Sequence, residues 1–236
     1  IYVARDRWGE KPLYYQLTEE KFAFASELKA FSPDLSAYEM DKKALNYFLS
    51  LSYIPAPYTI YKEIRKMMPG TYIRISADRE LSVHRYYDLF SVFHPATCSM
   101  DTAKETIRAR LFDSVKKRMI ADVPMGAFLS GGIDSSVICG IMSQLSDRPV
   151  NTFSIGFKEK EYDESKRARL VAQAIGANHT EYRLDYADVL VVLEDLLLYY
   201  DEPFADSSAI PSYYVAKLAR QHVKVVLTGD CADELF

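Results

Sequence analysis

Cysteine is scarce and scattered in this chain: three residues in 236, Cys98, Cys139 and Cys231, odd in number and far apart. That excludes a disulfide framework, and none of the three has the close paired spacing of a zinc site or a dithiol redox motif, so a reducing, cytoplasmic setting is expected. Histidine is equally sparse; His84, His94, His179 and His222 share no spacing and receive no metal or catalytic role. Long hydrophobic runs are missing too. The most apolar stretch, 189–198, is interrupted by Glu194 and Asp195, well short of the roughly 20 residues that span a bilayer, so it reads as a core helix and no membrane partner is expected. Nor is there an excess of positive charge. Twenty-nine Lys and Arg are interspersed with 33 Asp and Glu for a net charge of -4, which leaves no basic face to neutralise a phosphate backbone and disfavours a nucleic-acid partner. No basic, apolar, then small-residue leader opens the chain. Its first residue is Ile, and residues 1–4 read as a strand entered midway, so a lost N-terminal portion is expected.

What is present is a globular composition, 49% hydrophobic and 26% charged, long enough for one large domain or one domain plus a fragment. Residues 1–4, 13–16 and 22–25 are short β-rich runs separated by turn material, with no helix of their own. A stretch that short cannot build a two-layer core alone, so residues 1–36 are expected to be the tail of a missing domain, with a second domain over 37–236. Asp41 is a plausible N-cap for the apolar spacing Leu45, Phe48, Leu49. A hairpin is expected from 71–75 and 81–86 after the turn at Met68-Pro69-Gly70. Asp101, followed by Glu105, opens a helical pattern that places Ile107, Leu111, Val115 and Met119 on one face.

From residue 122 onward the rhythm changes to strand 124–129, helix 135–145, strand 150–155, helix 163–175, strand 179–184, helices 186–200 and 208–221, and strand 223–227. Alternating strands and helices with short joints predict an α/β parallel sheet covered on both faces. Ligands in such sheets bind beyond the carboxyl ends of the strands, near a switch point.

Two clusters lie at such ends. Phe128-Leu129-Ser130-Gly131-Gly132-Ile133-Asp134-Ser135-Ser136-Val137 joins an apolar strand to an apolar helix. Paired glycines let the backbone approach a ligand, Ser130, Ser135 and Ser136 bring hydroxyls, and the helix that follows offers free N–H groups at its positive end. The pattern lacks the Lys of a Walker loop and the third glycine of a dinucleotide fingerprint. Asp134 within an anion site would repel phosphate unless a divalent cation stood between them, which implies magnesium. The second cluster, Leu227-Thr228-Gly229-Asp230-Cys231-Ala232-Asp233-Glu234, follows the last strand. Asp230, Asp233 and Glu234 share a face if a helix begins there, and acids beside a phosphate loop suit metal binding and proton transfer.

The first cluster resembles the pyrophosphate loop of the N-type ATP pyrophosphatases, and the two together resemble the asparagine synthetases. Arg5-Asp6-Arg7-Trp8-Gly9-Glu10-Lys11-Pro12-Leu13-Tyr14-Tyr15 and Phe24-Ala25-Ser26-Glu27-Leu28-Lys29-Ala30 look like the end of that family's glutaminase domain. Pro69-Gly70-Thr71, Arg85-Tyr86-Tyr87 and Asp201-Glu202-Pro203-Phe204-Ala205-Asp206 match further family segments. The resemblance implies a parallel-sheet adenine nucleotide α-hydrolase-like (PP-loop) domain preceded by the remnant of an Ntn-type glutaminase domain. It implies ATP and Mg2+ as cofactors, aspartate as the acceptor, ammonia supplied from glutamine by an N-terminal domain, and room for a homodimer in the full-length enzyme. Carried over by motif, Ser130, Gly131, Gly132, Asp134, Ser135 and Ser136 would hold pyrophosphate, and Phe128, Ile155 and Gly229 would frame the adenosine. Asp134 and Asp233 would bind magnesium, and Asp230 would take a proton as ammonia adds. Asp230 is shorter than the glutamate many members carry, and Cys231 stands where glycine is usual. Other readings stay open: a related amidotransferase acting on a sugar carboxylate, a β-lactam-type synthetase, or a nucleotide-binding remnant without turnover.

Overall fold

The computed structural model describes the chain apart from residues 33, 79, 96, 159–164 and 231–236. The chain divides into two compact units, Ile1–Ala96 with Leu196–Asp206, and Thr97–Asp195 with Ser207–Phe236.

The first unit contains β1 (Tyr2–Ala4), β2 (Tyr14–Leu17), β3 (Phe22–Ala25), α1 (Lys42–Leu51), β4 (Ile64–Lys66), β5 (Thr71–Ile75), β6 (Leu81–Arg85) and the short α2 (Leu89–Val92). Its strands form two antiparallel sheets, in the orders β1-β5-β6 and β3-β2-β4. Strands from either side of residue 36 therefore share both sheets. The connection from β1 to β2 is shaped by two charged side chains. Asp6 accepts the amides of Trp8, Glu10 and Lys11 at 3.1, 3.0 and 3.0 Å, and the Lys11 amide, with the others, holds its carboxyl below the usual range. Arg5 donates to the carbonyls of Gly9, Lys11 and Met67. Such bonds satisfy backbone groups that a tight turn leaves without ladder partners. Asp41 caps α1 as its position predicts, accepting from Lys43 and Ala44.

The segment 196–206 joins this unit through two acids. Asp201 accepts the Leu28 amide at 2.5 Å. Glu202 pairs with Lys66 and accepts the Ile60 amide at 3.3 Å. Burial pushes the Glu202 carboxyl up, and the Lys66 charge opposes that push.

The second unit runs α3 (Met100–Arg118), β7 (Met125–Phe128), α4 (Ile133–Leu145), β8 (Asn151–Phe157), α5 (Ser165–Ala174), β9 (Asn178–Leu184), α6 (Tyr186–Tyr199), α7 (Ala209–Ala219) and β10 (Val225–Leu227), with the end of α6 in the first unit. Its four strands are all parallel, in the order β10-β7-β8-β9. Because side chains alternate across a strand, apolar residues at consecutive positions mean that both faces are covered. Ala127 and Leu129 pack with Val115, Cys139, Met142 and Ala168 from α3, α4 and α5. Phe128, Phe153 and Ile155 pack on the opposite face with Val215 and Ala219 of α7. The expected α/β architecture, a parallel sheet that follows antiparallel β structure along the chain, is the one observed.

The helix expected to open at Asp101 begins at Met100, capped by Ser99, which accepts the Thr102 amide. Ile107 is exposed, while Leu111, Val115 and Met119 reach the core, so only the C-terminal half of the apolar stripe is covered. Tyr199 and Tyr200 are exposed, whereas Tyr214 is buried. Among the described residues no helix is long and apolar enough to cross a membrane.

Candidate active site

The order β10-β7-β8-β9 sets a switch point between β7 and β10. From β7 the chain proceeds to β8 and β9 on one side, then returns to place β10 on the other. Connections leaving β7 and β10 diverge there, and the gap opens at the carboxyl edge. Both sequence clusters lie at this edge, because Leu227 of β10 sits beside Ala127 of β7 in parallel register.

Leu129 extends β7 by donating its amide to Phe153 O at 2.9 Å and is fully buried. The backbone then turns through Gly131, whose φ is +86°, a left-handed value that favours glycine. A Cβ there would stand 2.6 Å from the Ala168 amide nitrogen and 2.7 Å from Arg167 Cβ, because the first turn of α5 lies directly against it. Gly132 is the N-cap of α4 and offers no side chain to the helix. The first N–H groups of a helix have no intrahelical acceptor, so those of α4 are left for an anion, aided by the helix dipole.

The serines hold this loop in shape. Ser130 Oγ lies 2.9 Å from Ser135 Oγ and accepts the Gly132 amide at 3.3 Å. Ser135 Oγ accepts the Ser130 amide at 3.3 Å, and Ser136 Oγ donates to Gly132 O at 2.6 Å. Hydroxyls expected from sequence to serve chiefly as ligand donors thus also fix the backbone whose amides face the ligand.

The Thr228-Gly229-Asp230 connection passes over the same helix start. A Cβ on Gly229 would fall 2.5 Å from the Ser135 amide nitrogen and 2.7 Å from the Asp134 carbonyl carbon. Only glycine permits that approach. It brings the Asp230 backbone beside the first turn that carries Asp134. Asp134 is half-buried and Asp230 exposed. Carboxylate oxygens are the donors a hard divalent cation takes, so these two segments fit magnesium in kind; among the described residues no group of three or more His, Cys, Asp or Glu is assembled for a metal. Asp233, Glu234 and Cys231 lie outside the described residues.

Beside the loop is a cavity of about 390 Å³, lined by Phe128, Ser130, Ile155, Phe157, Ser208 and Ser212 among others. Apolar walls with a few polar groups suit a flat heterocycle and its sugar. Phe128 and Ile155, assigned by resemblance to the adenosine, both line it, and so does Ser130 of the loop. Gly229, assigned by resemblance to the same ligand, lies against the first turn of α4. Ser208 and Ser212 were not singled out from sequence. The available signal was the connection from β9 to β10, which must cross the sheet and so carries α7 over β8.

Cys139, under the loop on α4, is fully buried, with Sγ 3.8 Å from Phe128 O, and desolvation pushes its thiol up to about 12. Raising a thiol's pKa suppresses the thiolate at neutral pH. In the folded chain at pH 8, iodoacetamide is therefore expected to modify exposed Cys98 and to spare Cys139 until denaturant is added, as read by peptide mass mapping.

Comparison with known proteins agrees with this geometry. The sequence matches the asparagine synthase family over residues 106–236 and a glutamine amidotransferase domain over residues 1–87. It is 36% identical over 236 residues to asparagine synthetase [glutamine-hydrolyzing] 1 of Bacillus subtilis, covering all of this chain and 37% of that protein. It is 31% identical over 254 residues to asparagine synthetase [glutamine-hydrolyzing] 3 of the same organism, covering all of this chain and 41% of that protein. It is 29% identical over 254 residues to amidase chry2 of Gibberella zeae, covering all of this chain and 37% of that protein. The chain thus spans well under half the length of these curated relatives. Among solved structures, NMN synthetase from Francisella tularensis is similar with a TM-score of 0.38 at 14% identity over 52% of each chain, too loose a likeness to build on. With the family matching more than half of its length, at the parallel sheet and both loops of the switch point, this chain belongs to the asparagine synthase family.

Proposed function

We propose that the chain carries the ATP-using half of a glutamine-dependent asparagine synthetase, with residues 1–36 derived from the glutaminase domain and 37–236 from the synthetase domain. The observation that carries this reading is the pair of glycine close approaches, Gly131 on α5 and Gly229 on α4, which leave backbone amides and two acid-bearing segments at one sheet edge.

In this mechanism the α4 amides and the 130–136 loop hold the β and γ phosphates, while Phe128, Ile155 and the cavity beside them hold the adenosine. An oxygen of the aspartate side-chain carboxylate attacks the α-phosphorus, and the bond to the bridging oxygen breaks to release pyrophosphate. Ammonia then adds to the acyl carbon of the mixed anhydride, Asp230 accepts a proton from its nitrogen, and AMP departs with the carbon–oxygen bonding pair. Asparagine, AMP and pyrophosphate are the products. Asp134, with Asp233, would hold magnesium, which neutralises charge on the leaving pyrophosphate. The ammonia derives from glutamine hydrolysed in the N-terminal domain of the full-length protein.

The test is pyrophosphate release by the full-length protein with ATP, Mg2+ and ammonia, assayed with aspartate and then with sugar carboxylates. Release that depends on aspartate supports the reading. Release that depends on a sugar carboxylate, or none with any acceptor, replaces it with one of the alternatives that the sequence leaves open.

A further inference from the structure

We propose that Arg167, on the first turn of α5, is the cation that grips the terminal phosphates of the nucleotide. This rests on the nucleotide reading above and adds to it the group that supplies positive charge.

Segment 128–137 contains no Lys or Arg, and its charged residue is the acid Asp134. Helix-end amides contribute only about half an elementary charge, little against a polyphosphate. A Walker-type loop meets this need with its own Lys; here the charge has to come from a neighbouring element. Among the described residues, two segments come into close contact at the loop's Gly131 and at the first turn of α4. The 228–230 segment brings Asp230. The first turn of α5 brings Arg167, whose Cβ lies 2.7 Å from the Cβ position that Gly131 leaves empty.

The position of Arg167 is fixed from both sides, since Ser165 and Ala168 are buried at 1% and 0% exposure. Its own side chain is exposed and long enough to bring the guanidinium to a phosphate seated on the loop amides. The planar fork of a guanidinium binds phosphate oxygens in pairs, which a lysine cannot do. Arg169 on the same helix serves a different end: it pairs with Glu181 at 3.4 Å and donates to Ser165 Oγ at 3.3 Å, tying α5 to β9. The absence of a side chain at Gly131 therefore has a second consequence besides backbone freedom. It lets the start of α5 come close enough for Arg167 to share the anion with α4.

The experiment is calorimetric titration of the 236-residue chain, with Mg2+ present, using inorganic pyrophosphate and, separately, AMP. Arg167→Gln is expected to weaken pyrophosphate about tenfold or more, the scale of a charge-assisted hydrogen bond, while AMP affinity stays within about twofold, as for an ordinary surface substitution. Arg167→Lys should recover part of the loss. Unchanged pyrophosphate affinity in Arg167→Gln, or equal weakening of both ligands, overturns the assignment, the latter because it indicates a merely structural role. A wild-type chain that binds AMP but no pyrophosphate overturns the loop reading itself, and the role of Arg167 falls with it.

Discussion

Asparagine formation is expected to be abolished by Asp134→Asn in the full-length protein, with glutamine hydrolysis nearly intact. Asp134 stands in the first turn of α4, against amides and a dipole that favour anions. Its carboxylate and the nucleotide's phosphates can occupy one edge only with a divalent cation among them. The leaving pyrophosphate gains charge as the α-phosphorus bond breaks, so a weakened cation should cost most in the transition state. A loss of at least about a thousandfold, roughly 4 kcal/mol in the barrier, is the scale expected. Asp233→Asn should behave alike. On the proposed reading glutamine is hydrolysed at a different centre, which should not feel either change directly. Pyrophosphate release with aspartate and added ammonia, measured beside glutamate release from glutamine, separates the two steps. Wild-type pyrophosphate release by Asp134→Asn would remove the metal assignment.

Gly131→Ala is expected to have an effect of similar size by a steric route. The new methyl must take up a φ of +86° and would press on the Ala168 backbone nitrogen at 2.6 Å. An alanine in left-handed backbone costs about 1–2 kcal/mol before any clash, and a backbone neighbour cannot rotate aside. Either the loop or the start of α5 has to move, and the amides that face the phosphates move with it. Pyrophosphate release should fall by about a hundredfold or more, since misplacing reacting groups by about 1 Å carries that penalty. Gly140→Ala is the control: on α4, a Cβ there meets nothing within 4 Å, so activity should persist and stability rise by about 0.5–1 kcal/mol. Thermal unfolding followed by circular dichroism distinguishes a displaced loop from a lost fold.

Much of this site was legible in the sequence because its elements are local. A strand, two glycines, a capped helix and its serines are contiguous from 125 to 136, and periodicity together with glycine chemistry identifies them without knowledge of distant contacts. The parallel sheet was legible for the same reason, since Ala127, Phe128 and Leu129 form an unbroken apolar run that only a strand covered on both faces requires. Features that depend on long-range pairing were not legible. Nothing in 1–36 announces that β1 pairs with β5 or β2 with β4, because antiparallel register over such separations is decided by burial and not by local propensity. Asp201 and Glu202 read as members of a motif, yet their partners are the Leu28 amide and Lys66. Ser208 and Ser212 enter the cavity through the crossing of α7 over β8, a property of strand order.

The most direct measurement of the central claim is the fate of aspartate's oxygen. Full-length protein would be given ATP, Mg2+, ammonia and aspartate labelled with heavy oxygen in its side-chain carboxylate, and the AMP formed would be examined by mass spectrometry. If the carboxylate attacks the α-phosphorus on the loop between β7 and α4, one labelled oxygen appears in the AMP phosphate and none in pyrophosphate. Label found in inorganic phosphate with ADP as the nucleotide product, or AMP free of label, would contradict the account.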